Sequence, residues 1–311
     1  MHLSERMFIF DCDESLILDS PLVLAVGVFD GVHAGHRKII ETARFLADKC
    51  QAKVCALTFE PHPRSLFGEA PELLVGEAFR RQLLLEAGAD CVGVIDFTSE
   101  VAALSPEEFL LCLINDDRFK LAGICVGEHW HFGSKGRGGR ALIEKFSQEY
   151  GFAFSSVPEL EDGNDIISSS LIRSLIKDGN LERAAKLTGR NTFLFGKVIH
   201  GFGVAGKELA APTANLELKY GVVPPDGVYA ARVHLDGKIH SAAVNIGVAP
   251  TYSVGVRRIE IHLLDWNGSL YDRELALEIV KFIRKEQKFQ NPAALKEQII
   301  KDIASIKNAL M

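Results

Sequence analysis

No CxxC pair occurs in this chain, and none of its six cysteines lies beyond Cys125. Cys12, Cys50, Cys55, Cys91, Cys112 and Cys125 are scattered. Such scatter argues against a disulfide framework and a zinc site, and reads as reduced thiols used for packing. Excess positive charge is lacking too: 35 Lys and Arg face 41 Asp and Glu, a net charge of −6. Non-specific attraction to nucleic acid or anionic lipid is therefore not expected. The apolar run from Pro21 to Phe29 is far too short to span a bilayer. Residues 1–20 carry Glu5, Asp11, Asp13 and Glu14 and lack the basic start, apolar stretch and cleavage site of a signal peptide. A cytoplasmic location, with no nucleic-acid or membrane partner, is the expectation.

What is present is ordinary globular composition, 47% hydrophobic and 24% charged over 311 residues. That length suits two domains, each with its own core. The first half alternates apolar runs with helical patterns. Leu22–Val28 reads as a parallel strand buried on both faces. Ile39, Ala43, Leu46 and Cys50 then recur at helical steps. Lys53–Phe59, Cys91–Phe97 and Leu121–Val126 read as further strands. Arg80–Ala87, a segment opened by Ser105-Pro106-Glu107-Glu108, and Ala141–Tyr150 read as helices. This βαβα order predicts a doubly wound, Rossmann-like parallel sheet.

From about Asn191 the pattern changes. Phe193–His200, Val228–Leu235, Ile239–Ile246, Arg258–Leu264 and Leu275–Ile283 are strand-like, with a two-residue hairpin at Asp236-Gly237. Short strands at this spacing predict an antiparallel barrel. Asn291 and Pro292 should start a closing helix with its apolar stripe at Leu295, Ile299, Ile303, Ile306 and Leu310. The domains are expected at residues 1–188 and 189–311.

The strongest local signal is Gly27-Val-Phe-Asp-Gly-Val-His-Ala-Gly-His36, where the first strand turns into the first helix. Open α/β sheets bind ligands at the carboxyl ends of strands. A helix N-terminus offers free N–H groups and partial positive charge there. Gly27, Phe29, Asp30 and Gly31 are thus candidates to line a nucleotide, with His33 and His36 as side-chain donors beside its phosphates. Two preorganised imidazoles suit nucleotidyl transfer, in which charge builds on phosphate oxygens. A second element, Ile167-Ser-Ser-Ser-Leu-Ile-Arg173, puts Ser168, Ser169, Ser170 and Arg173 at a helix start, a good phosphate site.

These two motifs, with Thr58-Phe-Glu-Pro-His-Pro-Arg64 and Val126-Gly-Glu-His-Trp-His-Phe-Gly133, resemble the prokaryotic bifunctional riboflavin kinase/FMN adenylyltransferase family, also called FAD synthetase. The resemblance runs from about Leu22 to Lys307. It implies that His33 and His36 assist AMP transfer and that Ser168, Ser169, Ser170 and Arg173 hold ATP phosphates. It also implies that Phe59, Pro61, His62 and Arg64 lie at the nucleotide and flavin cleft, with His129 and Trp130 toward the flavin. The chain departs from the family at His129, usually acidic or amide, and at His131, often Arg.

In the second half, Ala211-Pro-Thr-Ala-Asn215 matches the family's PTAN motif, expected in the loop after the first barrel strand. The match implies that Thr213 and Asn215 help hold Mg2+ and ATP phosphates; unaided, the segment reads as a turn. In Arg258-Ile-Glu-Ile-His-Leu-Leu-Asp265, Glu260 and His262 fall on one strand face. The resemblance makes Glu260 the base for the riboflavin hydroxyl. Lys207 stands where the family has Arg in a substrate flap, and Ala210, Ala211 and Ala249 also depart from its pattern. The implied ligands are Mg2+, ATP, riboflavin, FMN and FAD, with room for a weak homo-oligomer. Two alternatives stay open: an FMN adenylyltransferase with a weak or inactive kinase domain, and a non-catalytic flavin-binding regulator.

Overall fold

A computed structural model of the chain describes residues 8–11, 20–199, 214–248, 257–264, 266, 268 and 270–311. In chain order the elements begin with β1 (Phe8–Asp11), β2 (Leu22–Val26), α1 (Ala34–Cys50) and β3 (Lys53–Glu60). A 3₁₀ turn (Pro63–Phe67), α2 (Glu77–Glu86), β4 (Cys91–Asp96), α3 (Ser99–Ala103), α4 (Pro106–Ile114) and β5 (Leu121–Gly127) follow. Then come α5 (Arg140–Tyr150), β6 (Ala153–Val157), the short pair β7 (Glu161–Asp162) and β8 (Asp165–Ile166), α6 (Ser169–Lys177) and α7 (Leu181–Thr188). The chain ends with β9 (Thr192–Ile199), β10 (Ala214–Tyr220), β11 (Gly227–Leu235), β12 (Lys238–Val248), β13 (Arg257–Leu263), β14 (Glu274–Arg284) and α8 (Pro292–Leu310).

The chain divides into two compact units. One holds Met1–Pro71 and Glu77–Ser168, the other Glu72–Gly76 and Ser169–Met311. The first is built on a six-stranded sheet in the order β1-β4-β3-β2-β5-β6. β2 to β6 are parallel, and β1 runs antiparallel to β4 at one edge. Every residue of β2 is buried, as its unbroken apolar run requires. Strand order reverses about β2, with β3 on one side and β5 on the other. In open sheets of this kind a ligand crevice is expected at the carboxyl end of such a strand, here β2. On α1 the deepest residues are Ile40, Ala43 and Ala47, so the stripe sits slightly rotated from Ile39, Ala43, Leu46 and Cys50. Ser105 and Glu108 form a full capping box on α4.

The second unit contains a closed barrel, β10-β13-β12-β11-β14-β9. β10 corrects the sequence reading: Ala214 and Asn215 start a strand paired to β13 and β9 rather than lying in a loop. The Asp236-Gly237 hairpin has both residues at positive φ, 50° and 72°, as a type I′ turn needs. The Asn291 side chain accepts from the Ala294 N–H at 2.9 Å and caps α8. Arg284 docks this helix through Asp302, with Nε and Nη2 on its carboxylate at 3.0 and 2.8 Å. Gln298 adds one donor at 2.8 Å. Removing one partner of a buried pair strands the other charge, so Arg284→Met should destabilise this unit by about 3 kcal/mol. Arg284→Met with Asp302→Leu should recover most of that. Urea unfolding of the two variants checks it; equal stabilities would contradict the account.

Candidate functional site

The turn after β2 is backbone-strained. Phe29, Gly31 and Val32 take φ of 54°, 80° and 39°, and for phenylalanine and β-branched valine that conformation is costly. The surroundings hold it. Gly27 donates to the Leu57 carbonyl at 3.1 Å, and the Thr58 hydroxyl to the Val28 carbonyl at 2.9 Å. The Phe29 ring is fully buried, lies over Gly27 and meets the His36 ring edge-on at 5.3 Å. Asp30 is also buried.

This turn delivers His33 to the N-cap of α1. Its Nδ1 accepts from the His36 backbone N–H at 3.4 Å. An accepting Nδ1 carries no proton, so a neutral His33 keeps its proton on Nε2, as a donor. The His33 and His36 rings stack at 3.6 Å. Two imidazoles thus sit together at a helix N-terminus, at the carboxyl end of the central strand. A side chain on Gly35 would press on the His33 ring and come 3.8 Å from the Ile167 carbonyl. The start of the 167–173 segment therefore lies against the histidine turn. Ser168 closes the first unit, while Ser169 and Ser170 open α6 of the second. Arg173 donates through Nε to the Glu72 carbonyl at 2.8 Å within that second unit.

At the end of β3, the Phe59 side chain packs into the core rather than standing free. Glu60-Pro61 is a cis peptide bond. The His62 Nδ1 accepts from the Arg64 N–H at 3.1 Å and caps the 3₁₀ turn, and Arg64 pairs with Glu69 at 3.0 Å on the surface. After β5, Trp130 stacks on Phe132 at 4.6 Å and packs against the core. His129 is exposed, 3.9 Å from the Glu159 carboxylate. His131 Nδ1 lies 3.3 Å from the Gly138 carbonyl. The sequence reading missed Arg80. It sits on the buried face of α2 with Leu83 and Leu84 and reaches Glu60 at 2.8 Å. A charged residue at helical spacing from two core leucines was the available signal.

In the barrel, Glu260 stands in register between Asn215 on β10 and Asn245 on β12. Its neighbours Ile259, Ile261 and Leu263 are buried in the barrel core, as alternation along a strand requires. Burial pushes the Glu260 carboxyl above the usual carboxylate range; the Arg258 charge opposes this and the Glu286 charge adds to it. Asn245 donates to Glu286 at 3.2 Å, and the Glu286 carboxylate fills the space a side chain on Gly247 would need. Asn215 Oδ1 is buried and has no hydrogen-bond partner among the described residues. A lone oxygen of this kind fits a hard divalent cation such as Mg2+, which takes oxygen ligands and few from protein. Lys207, Ala210, Ala211, Thr213 and Ala249 lie outside the described residues.

Comparison with known proteins bears on both units. Residues 17–171 match the family model for FAD synthetase, and residues 188–310 the model for riboflavin kinase. The bifunctional riboflavin kinase/FMN adenylyltransferase of Escherichia coli K12 is 35% identical over 283 residues, covering 90% of each chain. The protein of the same name from Bacillus subtilis 168 is 33% identical over 293 residues, again 90% of each. A crystal structure described as a macrolide-efflux protein from Streptococcus pneumoniae superposes with a TM-score of 0.79. It is 28% identical, over 93% of this chain and 94% of that one. Among the described residues of the present chain, no helix is long and apolar enough to cross a membrane.

Proposed function

The chain belongs to the bifunctional riboflavin kinase/FMN adenylyltransferase family, and on that footing we propose that it phosphorylates riboflavin to FMN and then adenylylates FMN to FAD. The functional border is read at residues 188/189. The observation that carries the reading is the stacked pair His33 and His36 at the N-terminus of α1.

In adenylyl transfer, the FMN phosphate attacks the α-phosphate of ATP and pyrophosphate leaves. The His33 Nε2–H and the His36 ring donate to phosphate oxygens, more strongly as charge builds on them. Gly27, Phe29, Asp30 and Gly31 shape the turn around the nucleotide. Ser168, Ser169, Ser170 and Arg173 hold the β- and γ-phosphates. Phe59, Pro61, His62, Arg64, His129 and Trp130 border the flavin.

In riboflavin phosphorylation, Glu260 takes the proton from the ribityl hydroxyl as that oxygen attacks the γ-phosphate, the bond to the β–γ bridging oxygen breaks and ADP leaves. Asn215 and Thr213 hold Mg2+, with Lys207 closing on the nucleotide. When bound, Mg2+ neutralises developing phosphate charge. The protein is further read as cytoplasmic, acting on small molecules without nucleic-acid or membrane partners, and with room for a weak homo-oligomer.

Incubation of the pure protein with riboflavin, ATP and Mg2+, followed by separation of the flavins, tests this directly. FMN should appear first and FAD after it. FAD from added FMN, with no FMN from riboflavin, would leave an adenylyltransferase with a silent kinase domain. Bound riboflavin with no product at all would leave a flavin-binding regulator.

A further inference from the structure

Arg80 is 2% exposed, on the buried face of α2. Burying a guanidinium is expensive and is tolerated where it is paired and hydrogen-bonded. One nitrogen of Arg80, Nη2, donates both to the Glu60 carboxylate at 2.8 Å and to the Phe59 carbonyl at 3.3 Å. Phe59 and Glu60 are the last two residues of β3. Directly after them the chain runs through Pro61, His62, Pro63 and Arg64. Arg81 reaches the other Glu60 oxygen at 3.2 Å. The Phe97 N–H donates to the Glu60 carbonyl at 2.8 Å, so the side chain and the main chain of Glu60 are held at once. Arg80 Nε has no hydrogen-bond partner among the described residues. An apolar core position would have been satisfied by leucine. What arginine adds here is a fixed geometry between α2 and the exit of β3.

We propose that Arg80 is a positioning residue for adenylyl transfer: through Glu60 and the Phe59 carbonyl it sets where the Pro61–Arg64 segment leaves the sheet. The proposal rests on the adenylyltransferase reading of the first unit. It assigns no contact between Arg80 and substrate. Arg81 shares the carboxylate from the rim, 29% exposed, and contributes less. Two guanidiniums share one carboxylate, so the cluster also carries an excess positive charge beside a segment read as bordering the flavin.

The test uses the full chain, with riboflavin phosphorylation as an internal measure of an intact second unit. Arg80→Met replaces the buried cation by an apolar chain of similar length, while Glu60 keeps Arg81. Arg80→Lys keeps charge but loses the fork. Glu60→Gln keeps shape and loses charge. In Arg80→Met the KM for FMN should rise about tenfold, with kcat at saturating FMN falling less than about threefold. Arg80→Lys should recover part of the loss. Riboflavin phosphorylation should be unchanged in all three. If Arg80→Met does not fold, Glu60→Gln carries the test and should raise the same KM. An unchanged KM, or a fall in kcat alone as from a fraction of unfolded first unit, would overturn the proposal. Failure of the unmodified protein to make FAD from FMN would instead strike the adenylyltransferase reading.

Discussion

Replacing His33 or His36 by alanine should slow FAD formation from FMN by about 10²-fold or more, the usual cost of losing one transition-state donor. Riboflavin phosphorylation should continue at its former rate. His33 needs a control, because it also caps α1 through Nδ1. Loss of an N-cap acceptor costs about 1 kcal/mol of stability on its own. Asparagine keeps an acceptor at the cap but has no imidazole. His33→Asn should therefore melt close to the unmodified protein and still lose FAD synthesis. His36 lies against the Phe29 ring edge and the His33 face. Its alanine variant should leave the helix start intact, since its backbone N–H still meets the His33 ring. Near-normal FAD production by the double alanine variant, assayed from FMN and ATP, would remove both histidines from the chemistry.

The strand, the glycine-rich corner and the helix start of this turn were legible in the sequence because their signals are local; the positive φ of Phe29 and Val32 was not. An apolar run long enough for one buried strand, a glycine-rich corner and a helix start follow each other without interruption. Local signals also placed the Ser105 cap, the Asp236-Gly237 hairpin and the Asn291 cap. What escaped were elements whose identity depends on distant partners. β1 is four residues at a sheet edge, antiparallel to a strand some eighty residues on. β6, Ala-Phe-Ser-Ser-Val, is half-buried at the other edge and has no clean apolar run. β10 begins inside a segment whose proline reads as a turn, and its strand character comes from pairing with β9 and β13. Arg80 escaped for a related reason. A charge on a helix is ordinarily solvated, and only the fold puts Glu60 beneath it.

The second large effect is expected at Glu260. Glutamine there keeps the shape but cannot accept a proton, so riboflavin phosphorylation should fall by about 10²–10⁴-fold, the range for losing a positioned base. Adenylylation of added FMN should be untouched. The barrel explains why this carboxylate suits the role. Glu260 stands between two carboxamides, Asn215 and Asn245, on neighbouring strands, and neither can neutralise it. Burial raises its proton affinity, Arg258 lowers it, and Glu286 raises it again. A carboxylate with raised affinity is the stronger base, and the same shift fixes the pH dependence. As pH falls through the raised pKa, Glu260 becomes protonated and activity is lost. The acid limb of kcat/KM for riboflavin should therefore lie above the ordinary carboxylate range. Glu286→Gln removes one negative neighbour and should move that limb to lower pH. The residual activity of Glu260→Gln should lack this limb. Wild-type turnover in Glu260→Gln, or an acid limb that survives in it unchanged, would assign the proton to another group.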